Sequence, residues 1–284
     1  MRISRIFLPL ILLFGSLATV AAASQTGQII AAKVEGKVTQ TLPDQSIAVL
    51  HNGDTVSTGG IVITAADASV VLVFSNGATV ELGGDSQLSV DQFLQDPFDM
   101  SPTKVSQLTK EPSVSHMKLN LTKGELVAHV AHLRIDEGSE CIVQTPVGAA
   151  GIRGTTFQEQ YHVMPDGTVQ FALTVTEGAV NFTLSDGRVV SVTAGNVLAL
   201  SVGPDGKITF NVEPSGPVDF TAPVSDLLLN GSIDGGVIHL YYQDELDKFL
   251  PPPPVPAPSR TTPGDGNSSG GTSGGSSNGG GSTT

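Results

Sequence analysis

The sequence has 284 residues, with 14 Lys and Arg against 27 Asp and Glu, which gives a formal net charge of −13. Nucleic-acid binding relies on cationic side chains that displace counterions, so this charge excludes nucleic acid as a partner. A single cysteine excludes an internal disulfide and a thiolate-based zinc site. The low charged fraction and the 33 glycines favour short strands joined by tight turns over long exposed helices.

The first 23 residues have the pattern of an export signal. Arg2 and Arg5 precede an apolar run over Ile6–Ala18, and small residues follow up to Ala23. This order predicts a Sec-type signal peptide over residues 1–23 that is cleaved after Ala23. An uncleaved membrane anchor is the alternative, but the run is shorter than the roughly 20 apolar residues that a membrane-spanning helix needs. We therefore expect export to the periplasm, the cell surface or the extracellular space, with no stable membrane insertion after cleavage.

Residues 24–212 form the body of the chain and have a β-rich pattern. Short apolar runs, many of them alternating with polar residues, recur between turn residues. Asn-Gly and Asp-Gly tolerate the positive φ angles of two-residue hairpin turns. We identify seven turn signals, at Asn52-Gly53, Asn76-Gly77, Lys123-Gly124, Asp166-Gly167, Glu177-Gly178, Asp186-Gly187 and Asp205-Gly206. The pattern predicts an all-β, hairpin-rich antiparallel sandwich or roll, and a solenoid-like arrangement of the same strands stays open.

Three segments depart from this pattern. Residues 94–116 contain three prolines and no sustained alternation, which predicts an inserted surface loop. Residues 213–250 form a C-terminal extension, with short helices predicted over Val224–Leu229 and Tyr241–Leu250. Residues 251–284 are rich in proline and then in Gly and Ser, which is typical of a disordered tail.

The most distinctive run is Val143–Phe157, in which Thr145-Pro146 is followed by Arg153-Gly154-Thr155 and an aromatic residue. This run resembles the signature of the FecR domain. Other segments resemble further parts of that domain in the same order, over a region from about Val34 to Leu200. These segments are Val34–Val38, Leu50–Gly59, Val70–Leu82, Leu121–Leu126 and Val175–Val180.

The resemblance implies a fold and a mode of action. The FecR domain is the periplasmic sensing part of iron-uptake regulators, where it contacts a TonB-dependent transducer while a cytoplasmic segment controls a sigma factor. Here only a predicted signal peptide precedes the domain, so we do not expect control of a sigma factor. The resemblance carries over an envelope domain that contacts other proteins, and it implies no catalytic activity.

The signature also has a physical interpretation. Pro146 fixes its own φ and pushes Thr145 towards an extended conformation. Gly151 and Gly154 permit positive φ or a close approach of the backbone. The Arg153 guanidinium either pins this loop to the sheet together with Thr155, or holds an anion or a partner's carboxylate. The candidate binding residues are Thr145, Pro146, Gly151, Arg153, Gly154 and Thr155.

Two further residue types are candidates for chemistry. His129 and His132 are three residues apart, and in a strand they would point to opposite faces and could not share a metal. Cys141 begins an apolar run, where a buried small side chain is the expected role, and a catalytic thiol would need a nearby base. We therefore expect no metal, no cofactor and no enzymatic activity.

Three functional hypotheses follow. The first is a non-enzymatic exported domain that binds one or more envelope proteins, either through its surface or by adding a partner strand to an exposed sheet edge. The second is a ligand-sensing or wall-associated scaffold module whose tail engages the cell wall. The third, from a different class, is a hydrolase with its site near Arg153 and Cys141.

Overall fold

The computed structural model describes residues 23–218 and 231–240. These residues form twenty strands and two single-turn 3-10 helices, Val105–Gln107 and Ile135–Glu137, so the all-β prediction is confirmed. No helix within these residues is long and apolar enough to cross a membrane. The predicted signal peptide (apart from Ala23), both predicted C-terminal helices and the predicted tail lie outside the described residues.

The first sheet contains ten strands, nine of which lie side by side in a mostly antiparallel order. Its strands, in spatial order, are β4 (Ile47–Val49), β3 (Val38–Thr41), β5 (Ile61–Thr64), β8 (Gln87–Gln95), the first half of β10 (Ser115–Val130), β11 (Glu140–Thr145), β12 (Gly148–Ile152), β15 (Ala179–Leu184) and β16 (Val189–Thr193). The short β1 (Gln25–Thr26) pairs with the end of β8. The β10–β11 pair is parallel and the others are antiparallel.

The second sheet is antiparallel throughout. Its strands, in spatial order, are β2 (Ile29–Glu35), β6 (Ser69–Phe74), β7 (Thr79–Leu82), the second half of β10, β13 (Thr155–Val163), β14 (Val169–Glu177), β17 (Asn196–Val202) and β18 (Ile208–Pro214). Side chains at alternate positions of both sheets point into one hydrophobic core, which is the arrangement of a β-sandwich.

Strand β10 belongs to both sheets because it bends at Gly124. The buried positions are Met117, Leu119 and Leu121 before the bend, and Leu126 and Ala128 after it. The buried positions are odd-numbered before the bend and even-numbered after it. This shift by one residue lets both halves of the strand face the same core. Gly124 has φ +85°, and a Cβ there would lie 2.5 Å from the Ser86 Cα, so only glycine fits this bend.

Two aromatic pairs join the sheets across the core. The rings of Phe74 on β6 and Phe93 on β8 meet edge to face with centroids 5.1 Å apart. Phe171 on β14 and Phe182 on β15 stack with centroids 4.8 Å apart. Each pair takes one ring from each sheet, and edge-to-face and offset stacked contacts add to the burial of apolar area. These contacts fix how the two sheets face each other.

A small third sheet covers the outer face of the second sheet. It consists of β9 (Thr103–Lys104), β19 (Gly231–Asp234) and β20 (Val237–Leu240). Its side chains pack with Ile30, Ala32 and Val73 in a separate hydrophobic cluster. The β19–β20 hairpin closes on Gly235-Gly236, both with positive φ, and was not predicted from the sequence.

The predicted inserted loop 94–116 is shorter and more ordered than the sequence indicated. Strand β8 runs to Gln95 and β10 begins at Ser115, so the irregular segment is residues 96–114. Strand β9 and the first 3-10 helix lie inside it, and Val105 and Glu111 are buried. The prolines gave no indication that this segment would be covered by a distant hairpin.

Four of the seven predicted turns are hairpins. They join β6–β7, β13–β14, β15–β16 and β17–β18. The other three turn signals do not form hairpins. Lys123-Gly124 bends one strand, Glu177-Gly178 connects strands of different sheets, and Asn52-Gly53 lies in a loop where the Asn52 Oδ1 accepts a 2.7 Å bond from the Val34 amide.

Candidate functional site

Strand β12 forms the floor of a trough on the outer face of the first sheet. Its residues Ala150 and Ile152 are buried in the core, so Ala149 and Gly151 face outward. A methyl group and a hydrogen atom are too small to fill the space above the sheet. The signature therefore creates a depression along β12, which we call the β12 trough.

The two neighbouring strands supply the sides of the trough. Gly151 is opposite Ile142 on β11 and Asn181 on β15, and Ala149 is opposite Gln144 and Thr183 in the same way. The trough comprises two depressions, of about 600 and 490 Å³, that share Ala149 and Thr183. Apart from Ile142, its sides present amide and hydroxyl groups that can donate and accept hydrogen bonds.

The candidate residues of the signature mark the two ends of the trough. Thr145 and Pro146 form one end, where the Thr145 hydroxyl donates to the Gly148 carbonyl at 3.2 Å across the β11–β12 turn. Arg153 forms the other end, and Asn120 and Thr122 of β10 border the Pro146 end. Of the six candidates, Thr145, Pro146, Gly151 and Arg153 border the trough.

Arg153 is exposed, and its side chain has no hydrogen bond or ion pair with any other residue between 23 and 218 or between 231 and 240. Its main-chain carbonyl accepts a 3.1 Å bond from the Leu133 amide. Among the described residues, the main chain of Arg153, rather than its guanidinium, makes the contact that holds this loop. A free cation at the end of a polar trough can bind a carboxylate in a bidentate manner.

Gly154 and Thr155 build the corner between β12 and β13. Gly154 has φ +133°, and a Cβ there would lie 2.6 Å from the His132 Nδ1 and 2.8 Å from its Cα. Thr155 is buried at the same corner, against Gly178. These two residues direct the chain from the first sheet into the second, and they do not border the trough.

A buried carboxylate supports the Arg153 end of the trough. The Glu111 carboxylate accepts bonds from the Ser115 hydroxyl at 2.5 Å, the Arg134 amide at 2.6 Å and the Ser139 hydroxyl. The Arg134 Nε also donates to the Glu111 carbonyl at 3.1 Å. Glu111 thereby connects the inserted segment to the start of β10 and to the loop before β11, which contributes Ser139 to the trough.

Cys141 does not provide a nucleophile. Its side chain is buried in the core, on the opposite face of the first sheet from the trough. Burial, with a smaller effect of Glu111 and Glu159, strongly raises the pKa of the Cys141 thiol. The thiol is therefore protonated at neutral pH and cannot attack a carbonyl group.

His129 takes part in a separate polar row on the outer face of the second sheet. Its Nδ1 lies 2.8 Å from the Thr156 Oγ1, and the Thr156 hydroxyl donates to the Glu177 Oε2 at 3.2 Å. Burial lowers the pKa of His129, although the charge of Glu177 opposes this shift. His132 lies beyond the end of β10, and within the described ranges no group of three or more His, Cys, Asp or Glu side chains could hold a metal ion.

Sequence reasoning missed the polar sides of the trough. Asn120, Gln144, Asn181 and Thr183 belong to three different strands, and the sequence does not say which strands neighbour β12. The pairing of β12 with β15 joins residues that are about thirty positions apart, so no local pattern could reveal it. The small residues of β12 were the one available signal.

One family model matches part of the chain. Residues 60–181 match the family model described as FecR protein. The solved structures that match include two of a candidate anti-sigma factor from Parabacteroides distasonis, both at 15% identity. These two matches have TM-scores of 0.39 and 0.38 and cover 55% and 60% of this chain. They span 60% and 65% of the other chain, which is less than two thirds of its length. No curated protein matches the chain significantly.

Proposed function

We propose that this chain, whose residues 60–181 match the FecR protein family model, is a non-enzymatic, exported interaction domain that binds an envelope protein through the β12 trough. The observation that carries this proposal is the exposed, unpaired Arg153 guanidinium at the end of a trough with polar sides. The partner would place an acidic group against Arg153 and polar groups along β12.

The shape and rigidity of the surface support this role. The trough lies on three strands in the interior of the first sheet, and the side chains beneath β12 are buried. A surface on paired strands keeps its shape before binding, which reduces the entropy that association costs. The small floor residues leave room for a partner's side chains without any displacement of the sheet.

Export is supported by the sequence of residues 1–23. A protein recovered from the envelope or the medium should begin at Ser24, which N-terminal sequencing can establish. Recovery of the unprocessed chain from the cytoplasm would contradict export. Deletion of residues 251–284 tests the scaffold alternative, because loss of envelope association on deletion would favour that module over the β12 trough.

The hydrolase alternative requires a reactive thiol at Cys141. The buried position of Cys141 argues against it, so we expect a Cys141→Ala variant to retain partner binding. Any hydrolytic activity of the wild-type protein that this variant loses would revive the alternative.

Site-specific photocrosslinking in intact cells tests the binding surface directly. A photoreactive phenylalanine at Asn181 lies on the side of the trough, and the same group at Asn211 on β18 is the control, since both positions are exposed. We expect a defined adduct from Asn181, none from Asn211, and at least a tenfold loss of the Asn181 adduct in an Arg153→Glu background.

Two results would contradict the proposal. Equal adducts from Asn181 and Asn211 would indicate non-specific contact. An Asn211 adduct that is insensitive to Arg153 would place the partner at the edge of the second sheet, as expected for strand addition to β18.

A further inference from the structure

Glu159 lies in the hydrophobic core without a polar partner. It occupies the middle of β13, between the core residues Phe157 and Tyr161 in the alternation of the strand. Its side chain has 0% exposure, and neither carboxylate oxygen has a hydrogen-bond partner. The residues opposite it on the adjacent strands are Leu126 and Leu173, both also at 0% exposure.

No basic side chain between residues 23 and 218 or between 231 and 240 offsets a charge at this position. Across the core, Cys141 of β11 is close enough for the charge of Glu159 to raise the pKa of its thiol. On β13 itself the nearest inward titratable group is Tyr161, and β10 and β14 present leucines to Glu159. Glu111 is the other buried carboxylate of the described residues, and it has its own donors.

The comparison of these two glutamates defines the role of Glu159. Glu111 accepts hydrogen bonds from two hydroxyl groups and an amide. Glu159 has none of them, and an isolated charge in such surroundings neutralises by taking up a proton. The two buried glutamates therefore differ in whether hydrogen-bond donors surround the carboxylate.

We propose that Glu159 is held as the neutral acid in the sandwich core and makes the domain an acid-stabilised structure whose two sheets loosen when this side chain ionises. The proposal is independent of the partner-binding function. Burial raises the pKa of Glu159 well above its usual value, in agreement with the geometry. Ionisation would place an unpartnered charge between β10 and β14, which pair with β13 on either side.

The direction of the pH dependence follows from proton uptake. In the unfolded chain Glu159 has a pKa of about 4.3. Between that value and its higher pKa in the folded state, folding takes up one proton, so stability falls as the pH rises. Below about pH 4.3 the side chain is neutral in both states and its contribution is constant. Above the folded-state pKa it is ionised in both states, and its contribution is constant again.

Equilibrium unfolding in denaturant across pH 5–8 tests this inference on the full-length mature protein. The comparison is between wild type and Glu159→Gln, with Glu159→Met as a second variant in case the amide prevents folding. We expect the unfolding constant of the wild type, divided by that of either variant, to rise about tenfold per pH unit from pH 5 until the folded-state pKa is reached. The exposed Glu137→Gln variant is the control. The unfolding constant of the wild type, divided by that of Glu137→Gln, should stay constant across this pH range.

Infrared difference spectroscopy measures the protonation state of Glu159 in the folded protein and does not depend on the variants' stability. In the folded wild type at pH 5.5, the carbonyl stretch of protonated carboxylic acids should include a component that Glu159→Gln and Glu159→Met lack. A ratio of unfolding constants that does not change over pH 5–8 would overturn the inference. The absence of that component from the folded wild type at pH 5.5 would overturn it as well.

Discussion

Gly151 and Gly154 are three residues apart in one motif but serve different purposes. Gly151 has an open position, where the nearest atom to an added Cβ would be the Asn181 carbonyl oxygen at 3.7 Å. Gly154 combines a positive φ with close contact to His132. The first glycine keeps the trough empty, whereas the second allows the chain to turn between the sheets.

A matched pair of alanine substitutions separates these two roles. Gly154→Ala should destabilise the domain by about 2 kcal/mol or more, because the left-handed backbone and the clash with His132 act together. Gly151→Ala should change stability by less than about 1 kcal/mol, since an ordinary contact distance is available. Denaturant unfolding of both variants measures the difference, and equal losses would contradict this assignment.

Glu111 gives a second prediction for a single residue. Glu111→Gln should cost about 2–3 kcal/mol of stability, because a buried carboxylate loses charge-assisted bonds and the new amide group adds donors to a site that already supplies them. Glu137→Gln removes an exposed contact with Arg134 and should cost less than about 1 kcal/mol. A loss at Glu111 no larger than that at Glu137 would show that the buried contacts are not needed for folding.

At the scale of elements, β10 is the strand that connects the two sheets. The sequence predicts two strands, Met117–Leu121 and Leu126–Leu133, with a turn at Lys123-Gly124. The structure has one continuous strand, Ser115–Val130, with a bend at that position. Local residue preferences identify a glycine that permits positive φ, but they do not distinguish a hairpin from a bend, because that depends on which strands pair on each side.

The bend provides its own prediction. Gly124→Ala should be more destabilising than Gly53→Ala, although both glycines have similar positive φ values of +85° and +87°. At Gly53 an added Cβ meets nothing within 4 Å, so only backbone strain of about 1 kcal/mol is expected. At Gly124 the added Cβ also meets the Ser86 backbone, which cannot move without breaking the β8–β10 pairing.

Thermal unfolding of the two variants under identical conditions measures this comparison. The melting temperature of Gly124→Ala should fall clearly below that of Gly53→Ala. Equal melting temperatures would show that the bend tolerates a side chain and that Gly124 is needed only for its φ angle.

At the scale of the whole molecule, the sequence predicted the fold class better than the connections. Alternating apolar residues identify most strands and their inward faces, which confirms an antiparallel sandwich. The third sheet could not be predicted, because it pairs Thr103 with Ile233, residues that are far apart in the chain. For the site, Arg153, Gly151 and Pro146 were found because one contiguous motif contains them, while Asn120 and Asn181 were missed because they come from distant strands.

Nuclear magnetic resonance of the side-chain amides is the most direct test of partner binding at the β12 trough. The protein, labelled with nitrogen-15, is titrated with the unlabelled partner that the Asn181 crosslink identifies. We expect the amide signals of Asn120, Gln144 and Asn181 to shift or broaden, while that of Asn211 on β18 does not. Unchanged signals from the three trough residues, together with a shift at Asn211, would contradict binding at the β12 trough.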